Sequence, residues 1–224
     1  MRAPALLAAL LLALPACTRG LTPAETALVA PLLPDLATED VRITRSPVVG
    51  LFPITYDARP RIACREKIAP PIEGRIVAST AGIVLFERLW TAPRWSLPDY
   101  AAPLGDHLDL ATAMFFAHEM THVWQWQARD RTGYHPARAF FEQIEIDDPY
   151  LFDADAPTPF LDRGFEEQAS LVEEYLCCAT LDPSGARTGR LHALLSEALP
   201  VAPPARFPRP VLIPWADDLD GICD

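Results

Sequence analysis

Proline sets the first limit on what this chain can fold into. There are 24 prolines in 224 residues, more than twice the usual share of about 5%. Each removes a backbone donor and obstructs the preceding helical turn. Helices are therefore confined to the runs between prolines, and much of the rest must be loop or extended segment. One run, from about Asp109 to Arg129, is long and apolar and predicts a helix, with Asp109 as its N-cap and Gly133 just past its end. A second helix is expected from Phe165 to Ala179, and a short third from Arg190 to Ala198. Thr22-Pro23-Ala24-Glu25 is a capping box with proline at the first helical position, so a short helix opens there and stops at Pro31 and Pro34. Val41 to Thr44 alternates like a strand. Arg75–Ala78 and Ile83–Phe86 are β-prone runs separated by Ser79-Thr80-Ala81-Gly82, which predicts a hairpin. Ser46 to Pro71 is expected to be irregular, Tyr134 to Arg163 mixes aromatic and acidic residues among prolines, and no internal repeat is present.

The N-terminus has the pattern of an export signal. Arg2 precedes a 13-residue apolar run from Ala3 to Pro15, which as a helix would reach only about 20 Å and so cannot span a bilayer of about 30 Å. It ends Leu14-Pro15-Ala16-Cys17, which resembles a bacterial lipobox. The resemblance implies lipidation of Cys17, and Thr18 in place of aspartate implies the periplasmic face of the outer membrane. The alternative is ordinary cleavage and a soluble periplasmic or secreted chain. In an oxidising compartment Cys64, Cys177, Cys178 and Cys223 are expected to form two disulfides. A bond between the adjacent Cys177 and Cys178 would strain a helix, leaving the two pairings that tie this helix to both Cys64 and Cys223. The net charge of −11 argues against nucleic acid, whose phosphates would be repelled. Membrane contact is expected only through the N-terminal anchor. The acidic clusters Glu142–Asp155 and Asp217–Asp224 are read as solubilising surface.

The chemistry lies in Phe115-Phe116-Ala117-His118-Glu119-Met120-Thr121-His122. On a helix, His118 and His122 lie one turn apart on one face, and both imidazoles can reach a single tetrahedral Zn2+. Glu119 sits about 100° around the helix, beside the metal position without ligating, where it can serve as general base toward water. Histidines and a glutamate in an otherwise apolar helix are costly without a partner. Position 128 is alanine and Gln125 stands where a glycine would be, so the extended metzincin pattern is excluded. The third ligand is then expected to be a glutamate of the Phe165 helix. Its apolar stripe runs Phe165, Ala169, Val172, Leu176, Ala179. Glu166 and Glu173 flank that stripe, with Glu166 preferred, whereas Glu167 and Glu174 point nearly opposite and are read as solvated.

His118-Glu119-Met120-Thr121-His122-Val123-Trp124-Gln125, followed by Glu166-Glu167-Gln168-Ala169, resembles the gluzincin metallopeptidases over roughly Gly74 to Cys178, especially a bacterial group with a His-Glu-[Leu/Met]-Thr-His-Val-Trp-Gln helix. The resemblance implies an α+β fold: a small zincin-like domain with the His-Glu-x-x-His helix, a second ligand-bearing helix and a small β-hairpin or sheet. It implies zinc held by His118, His122 and Glu166, with Glu119 as general base of a peptidase acting on a peptide or protein. Ser170 stands where many relatives have an aspartate that orients a zinc-bound histidine, a loss that Glu173 or the acidic loop would have to make good. Tyr134, His135, Tyr150 and Tyr175 are candidate oxyanion donors, and the Gly74–Phe86 hairpin a candidate edge for an extended peptide. His107 and His192 read as surface or capping residues, Trp124 and Trp126 as core. The expected organisation is signal peptide 1–17, N-terminal helical segment 18–40, zincin-like metallohydrolase domain 41–198, and a proline-rich acidic tail 199–224 packed on the domain. The alternative function is a catalytically inactive zincin-fold envelope lipoprotein serving as scaffold or secretion-associated binding module. Hydrolysis of cell-wall peptide cross-links is a third, weaker reading.

Overall fold

In the computed structural model, residues 18–102, 107–205, 210–213 and 219–224 are described; the expected export signal and Cys17 lie outside them. The architecture is mixed α+β. The strands are β1 (Thr18–Arg19), β2 (Arg42–Arg45), β3 (Pro53–Asp57), β4 (Arg75–Ser79), β5 (Gly82–Leu85), β6 (Arg88–Thr91), β7 (Leu108–Asp109) and β8 (Val211–Leu212). The helices are α1 (Pro23–Val29), α2 (Cys64–Lys67), α3 (Leu110–Gln127), α4 (Arg129–Thr132), α5 (Pro136–Glu145), α6 (Phe165–Leu181) and α7 (Ala186–Leu195). No described helix is long and apolar enough to cross a membrane.

The capping signals act as expected. Thr22 accepts the Glu25 backbone N–H while the Glu25 carboxylate accepts the Thr22 N–H, closing the box at α1. Asp109 caps α3 by accepting from Thr112 N at 3.0 Å, and Gly133 takes the left-handed conformation after α4 at φ 67°. Helix α3 is the axis of the molecule. Leu110, Ala113, Phe116, Ala117, Met120 and Val123 are fully buried in the main core, joined there by Leu171, Val172 and Cys177 of α6.

The four-stranded sheet runs β1-β2-β6-β5, with β2 and β6 parallel and the other pairs antiparallel. This corrects the expected hairpin of Arg75–Ala78 with Ile83–Phe86. β4 pairs instead with β3 in a separate two-stranded sheet, and β5 turns back on β6 through Phe86 and Glu87. Phe86 takes φ 61°, a left-handed conformation costly for a bulky residue. Its ring is held edge-on against Trp126 at 4.7 Å, and Glu87 accepts the Trp126 indole N–H at 2.8 Å.

Two further expectations, on Ser46–Pro71 and on the last helix, are revised. The segment Ser46–Pro71 is not irregular throughout, since it contains β3 and α2. Tyr134–Arg163 contains α5, started by His135 as cap and Pro136 at the first turn. The last helix begins earlier than expected, at Ala186. The segment 18–40 contributes β1 to the sheet besides its helix. The tail is tied down by β8 on β7 and by a disulfide. The pairing is Cys64–Cys177 and Cys178–Cys223. Adjacent cysteines on α6 thus reach in different directions, one to α2 and the other to the C-terminus.

Candidate metal centre

α3 and α6 bring His118, His122 and Glu166 together. His118 Nε2 lies 3.0 Å and His122 Nε2 3.2 Å from the same oxygen, Glu166 Oε2. One donor atom from each of the three side chains falls within 4.8 Å of the other two. All three residues are buried, as is Glu119, none being more than 8% exposed.

Each donor is oriented from behind. His122 Nδ1 sits 2.8 Å from Gln125 Oε1, an acceptor that leaves the Nε2 lone pair facing the centre. The Gln125 amide is fixed in turn by donating to Phe165 O and Gln168 Oε1, each at 3.0 Å. Glu173 Oε2 stands 3.3 Å from His118 Nδ1, at ion-pair distance though without hydrogen-bond alignment. Gln143 on α5 donates to Glu166 Oε1 at 2.6 Å. The neighbouring Glu142 accepts the backbone N–H groups of Phe165 and Glu166 at the start of α6. A Cβ at Gly164 would lie 2.8 Å from the Glu142 carboxylate, which would have to shift to admit it.

Two imidazoles and one carboxylate, converging and individually held, are a donor set suited to zinc with a fourth position left over. The other described cluster of metal-binding type, Cys64, Cys178 and Cys223, is consumed by the disulfides. The pocket's charge is consistent with a cation. Burial works against a charged His118 ring, but Glu166 and Glu173 outweigh it and push its pKa up to about 10. Burial also opposes ionisation of Glu166, yet the two imidazoles hold it well below the usual carboxylate range. Glu119 is pushed up, chiefly by desolvation.

The remaining candidates separate cleanly. Tyr150 lies over His118 with ring centres 5.7 Å apart, and Tyr134 beside His122 at 6.0 Å. Burial, with Glu166 and Glu119 nearby, raises both phenols, so both stay protonated and able to donate. Tyr175 is remote from this role, its hydroxyl donating to Ala202 O at 2.8 Å. His135 is exposed, caps α5 and packs edge-on to Trp126. Ser170 accepts from Arg65 at 3.3 Å, and Glu173, not Ser170, faces the His118 ring. His107 is exposed and Trp124 is core, as expected.

The reading of Glu174 as solvated is overturned. It is fully buried, accepting the Cys64 N–H and lying 3.0 Å from Arg187 Nε. Glu167 is partly exposed and pairs with Arg163 at 2.6 Å. The acidic stretch from Glu142 is likewise more than surface, because Asp148 forms a bidentate pair with Arg59 at 2.6 and 2.9 Å. Gln143, Glu142 and Arg65, whose guanidinium lies 3.5 Å from the Glu173 carboxylate, are the residues of this centre that the motif does not announce.

No protein-family model matches the chain, and no curated protein matches it. Among solved structures, the effector domain of Pseudomonas aeruginosa VgrG2b aligns over 81% of this chain and 83% of that one, at 16% identity and a TM-score of 0.45. A likeness that loose carries no argument about fold or activity.

Proposed function

We propose that this chain is a zinc-dependent metallohydrolase of zincin-like fold that cleaves peptide bonds. The observation that carries the reading is the convergence of His118 Nε2 and His122 Nε2 on one oxygen of Glu166. Zinc, when bound, supplies Lewis acidity that brings the pKa of water down from about 15.7 to about 7 and polarises a carbonyl. The chain's own residues supply the rest. Glu119, desolvated and one residue along from His118, accepts a proton from water at its carboxylate and returns it to the leaving amine. Tyr134 and Tyr150 flank the two histidines and donate to the developing oxyanion.

The extended substrate has a place to lie. β5 is the outer strand of its sheet, and it begins against the general base, since a Cβ at Gly82 would meet Glu119 Oε1 at 2.8 Å. A peptide added along β5 by main-chain hydrogen bonds would bring its backbone past Glu119.

The test is metal content and hydrolysis together. Purified protein should hold one zinc per chain, and Glu119→Gln should keep the zinc while losing peptide hydrolysis. Full activity in that variant would overturn the mechanism. A second reading, a zinc-loaded but inactive envelope scaffold, is favoured by the near-complete burial of the four central residues. It predicts that wild type and Glu119→Gln are equally inert on every peptide library tried, with zinc bound in both.

A further inference from the structure

A cluster of unpartnered apolar side chains lies where the chain enters the fold, and it does not depend on the metal centre. β1 begins at Thr18, paired antiparallel with Thr44, which is next to Arg45 at the end of β2. From that same end the chain runs on through Val48, Leu51, Phe52 and Ile54, which are 52%, 61%, 82% and 52% exposed. The loop between is pinned to the sheet end at Gly50, where a Cβ would lie 2.8 Å from Thr80 O and 3.1 Å from the Ala92 side chain. Exposed apolar groups gathered this way mark a contact surface.

What covers them is indicated by the chain just outside the fold. In the sequence, the apolar run Ala3–Pro15 stands only two residues before Thr18, where the first described strand starts. Under the lipobox reading, on which this inference rests, acyl chains on Cys17 would hold the chain next to Thr18 at a bilayer. A single acyl attachment binds only marginally and reversibly. A second contact held at high effective concentration makes the association stable. Charge agrees with this. Between positions 45 and 54 the only charged residue is Arg45, in a chain whose net charge is −11, so the patch escapes the repulsion that anionic headgroups exert on the rest.

We propose that Val48, Leu51, Phe52 and Ile54 form a membrane-docking patch that seats the domain on a lipid surface beside its N-terminal attachment. The patch enters the boundary between headgroups and acyl chains, about 5–10 Å deep, with Arg45 at headgroup level.

The experiment places a reporter in the patch. Full-length protein carrying Phe52→Trp is reconstituted into vesicles of phosphatidylethanolamine and phosphatidylglycerol, with and without brominated acyl chains. Phe141→Trp, on the exposed face of α5, is the control, and wild-type emission is subtracted from both. The expected result is that the chain floats with the vesicles and the Phe52→Trp signal shifts to the blue. Brominated lipid should quench more than half of that signal while leaving Phe141→Trp unquenched. Three results would overturn the proposal: no flotation of the full chain, flotation without quenching at position 52, or stronger quenching at position 141. Flotation without quenching would assign the patch to a protein partner.

Discussion

Gln125 offers the sharpest separation of site from scaffold. Its amide is fully buried and makes three bonds: to His122 Nδ1 at 2.8 Å, and to Phe165 O and Gln168 Oε1 at 3.0 Å each. Leucine of similar bulk makes none of them. One imidazole N–H and two carbonyl oxygens would lose a partner in a dry interior, at about 1–3 kcal/mol for each group left unsatisfied. Partial relaxation brings the net loss of stability for Gln125→Leu to about 2–4 kcal/mol. Zinc affinity should fall separately, since His122 would no longer be held in the tautomer that points Nε2 inward. Loss of such outer support costs about 10–100-fold, or about 1.4–2.7 kcal/mol. Gln125→Glu distinguishes the two effects. It keeps an acceptor for His122 Nδ1 but removes the donor to Phe165 O, so stability should fall while zinc affinity stays near wild type. Competition with a chromophoric chelator gives the affinity, and urea unfolding of the metal-free protein gives the stability. If Gln125→Leu binds zinc as tightly as wild type, Gln125 does not orient the histidine and the account of the centre is wrong.

Three other outcomes can be checked. Gly82→Ala puts a methyl 2.8 Å from Glu119 Oε1 and 3.0 Å from its Cδ; displacing the base should lower kcat about 100-fold with zinc content unchanged, by steady-state kinetics and metal analysis. Removing Cys64–Cys177 opens a separation of 113 residues and should cost about 5 kcal/mol in the chain-entropy model, against about 4 kcal/mol for the 45-residue separation closed by Cys178–Cys223. Urea melts of the two double-alanine variants decide the order, and free thiols in Cys64→Ala/Cys177→Ala would contradict the pairing. Asp148 would be raised by burial alone, but the paired Arg59 holds its carboxyl below the usual range. Its contribution is therefore present above the unfolded pKa of about 3.9 and lost as pH falls through the lower folded value. Proteolysis near Asp148 should stay constant from neutral pH down to the unfolded pKa and rise only below it, and Arg59→Ala should show the rise at neutral pH.

What could be read from the sequence followed from local periodicity. Two histidines four apart on an apolar helix share a face, and a glutamate flanking the stripe of α6 can turn inward, so the helices bearing the candidate ligands were legible. The helical wheel failed for Glu174 because it assumes that one side of a helix meets water. α6 has α3 against one side, while α2 and α7 reach it through Cys64 and Arg187, so a carboxylate opposite the stripe is buried among partners. The hairpin failed for a different reason. Ser79-Thr80-Ala81-Gly82 has turn chemistry, but partner choice was settled by distant strands: β6 lies parallel to β2, a pairing without local signature, and β3 takes β4. α5 was hidden by its mixed aromatic and acidic composition, although His135-Pro136 carried a start signal.

The docking of α5 shows why the local reading stops short of the site. Gln143 and Glu142 are consecutive residues on it, one bonded to the Glu166 carboxylate and the other capping the backbone of Phe165 and Glu166. Glu166, the proposed third ligand, is therefore fixed at both its side chain and its main chain by a single helix that carries no proposed ligand itself. Any movement that opens the buried centre by lifting α5 must break both contacts at once, and with them the aim of Glu166 Oε2 between the two histidines. Access to the centre and the geometry of its candidate ligands would be coupled through these two side chains. Substituting Gln143 should thus disturb zinc binding without touching a ligand, which no motif centred on His118 and His122 could indicate.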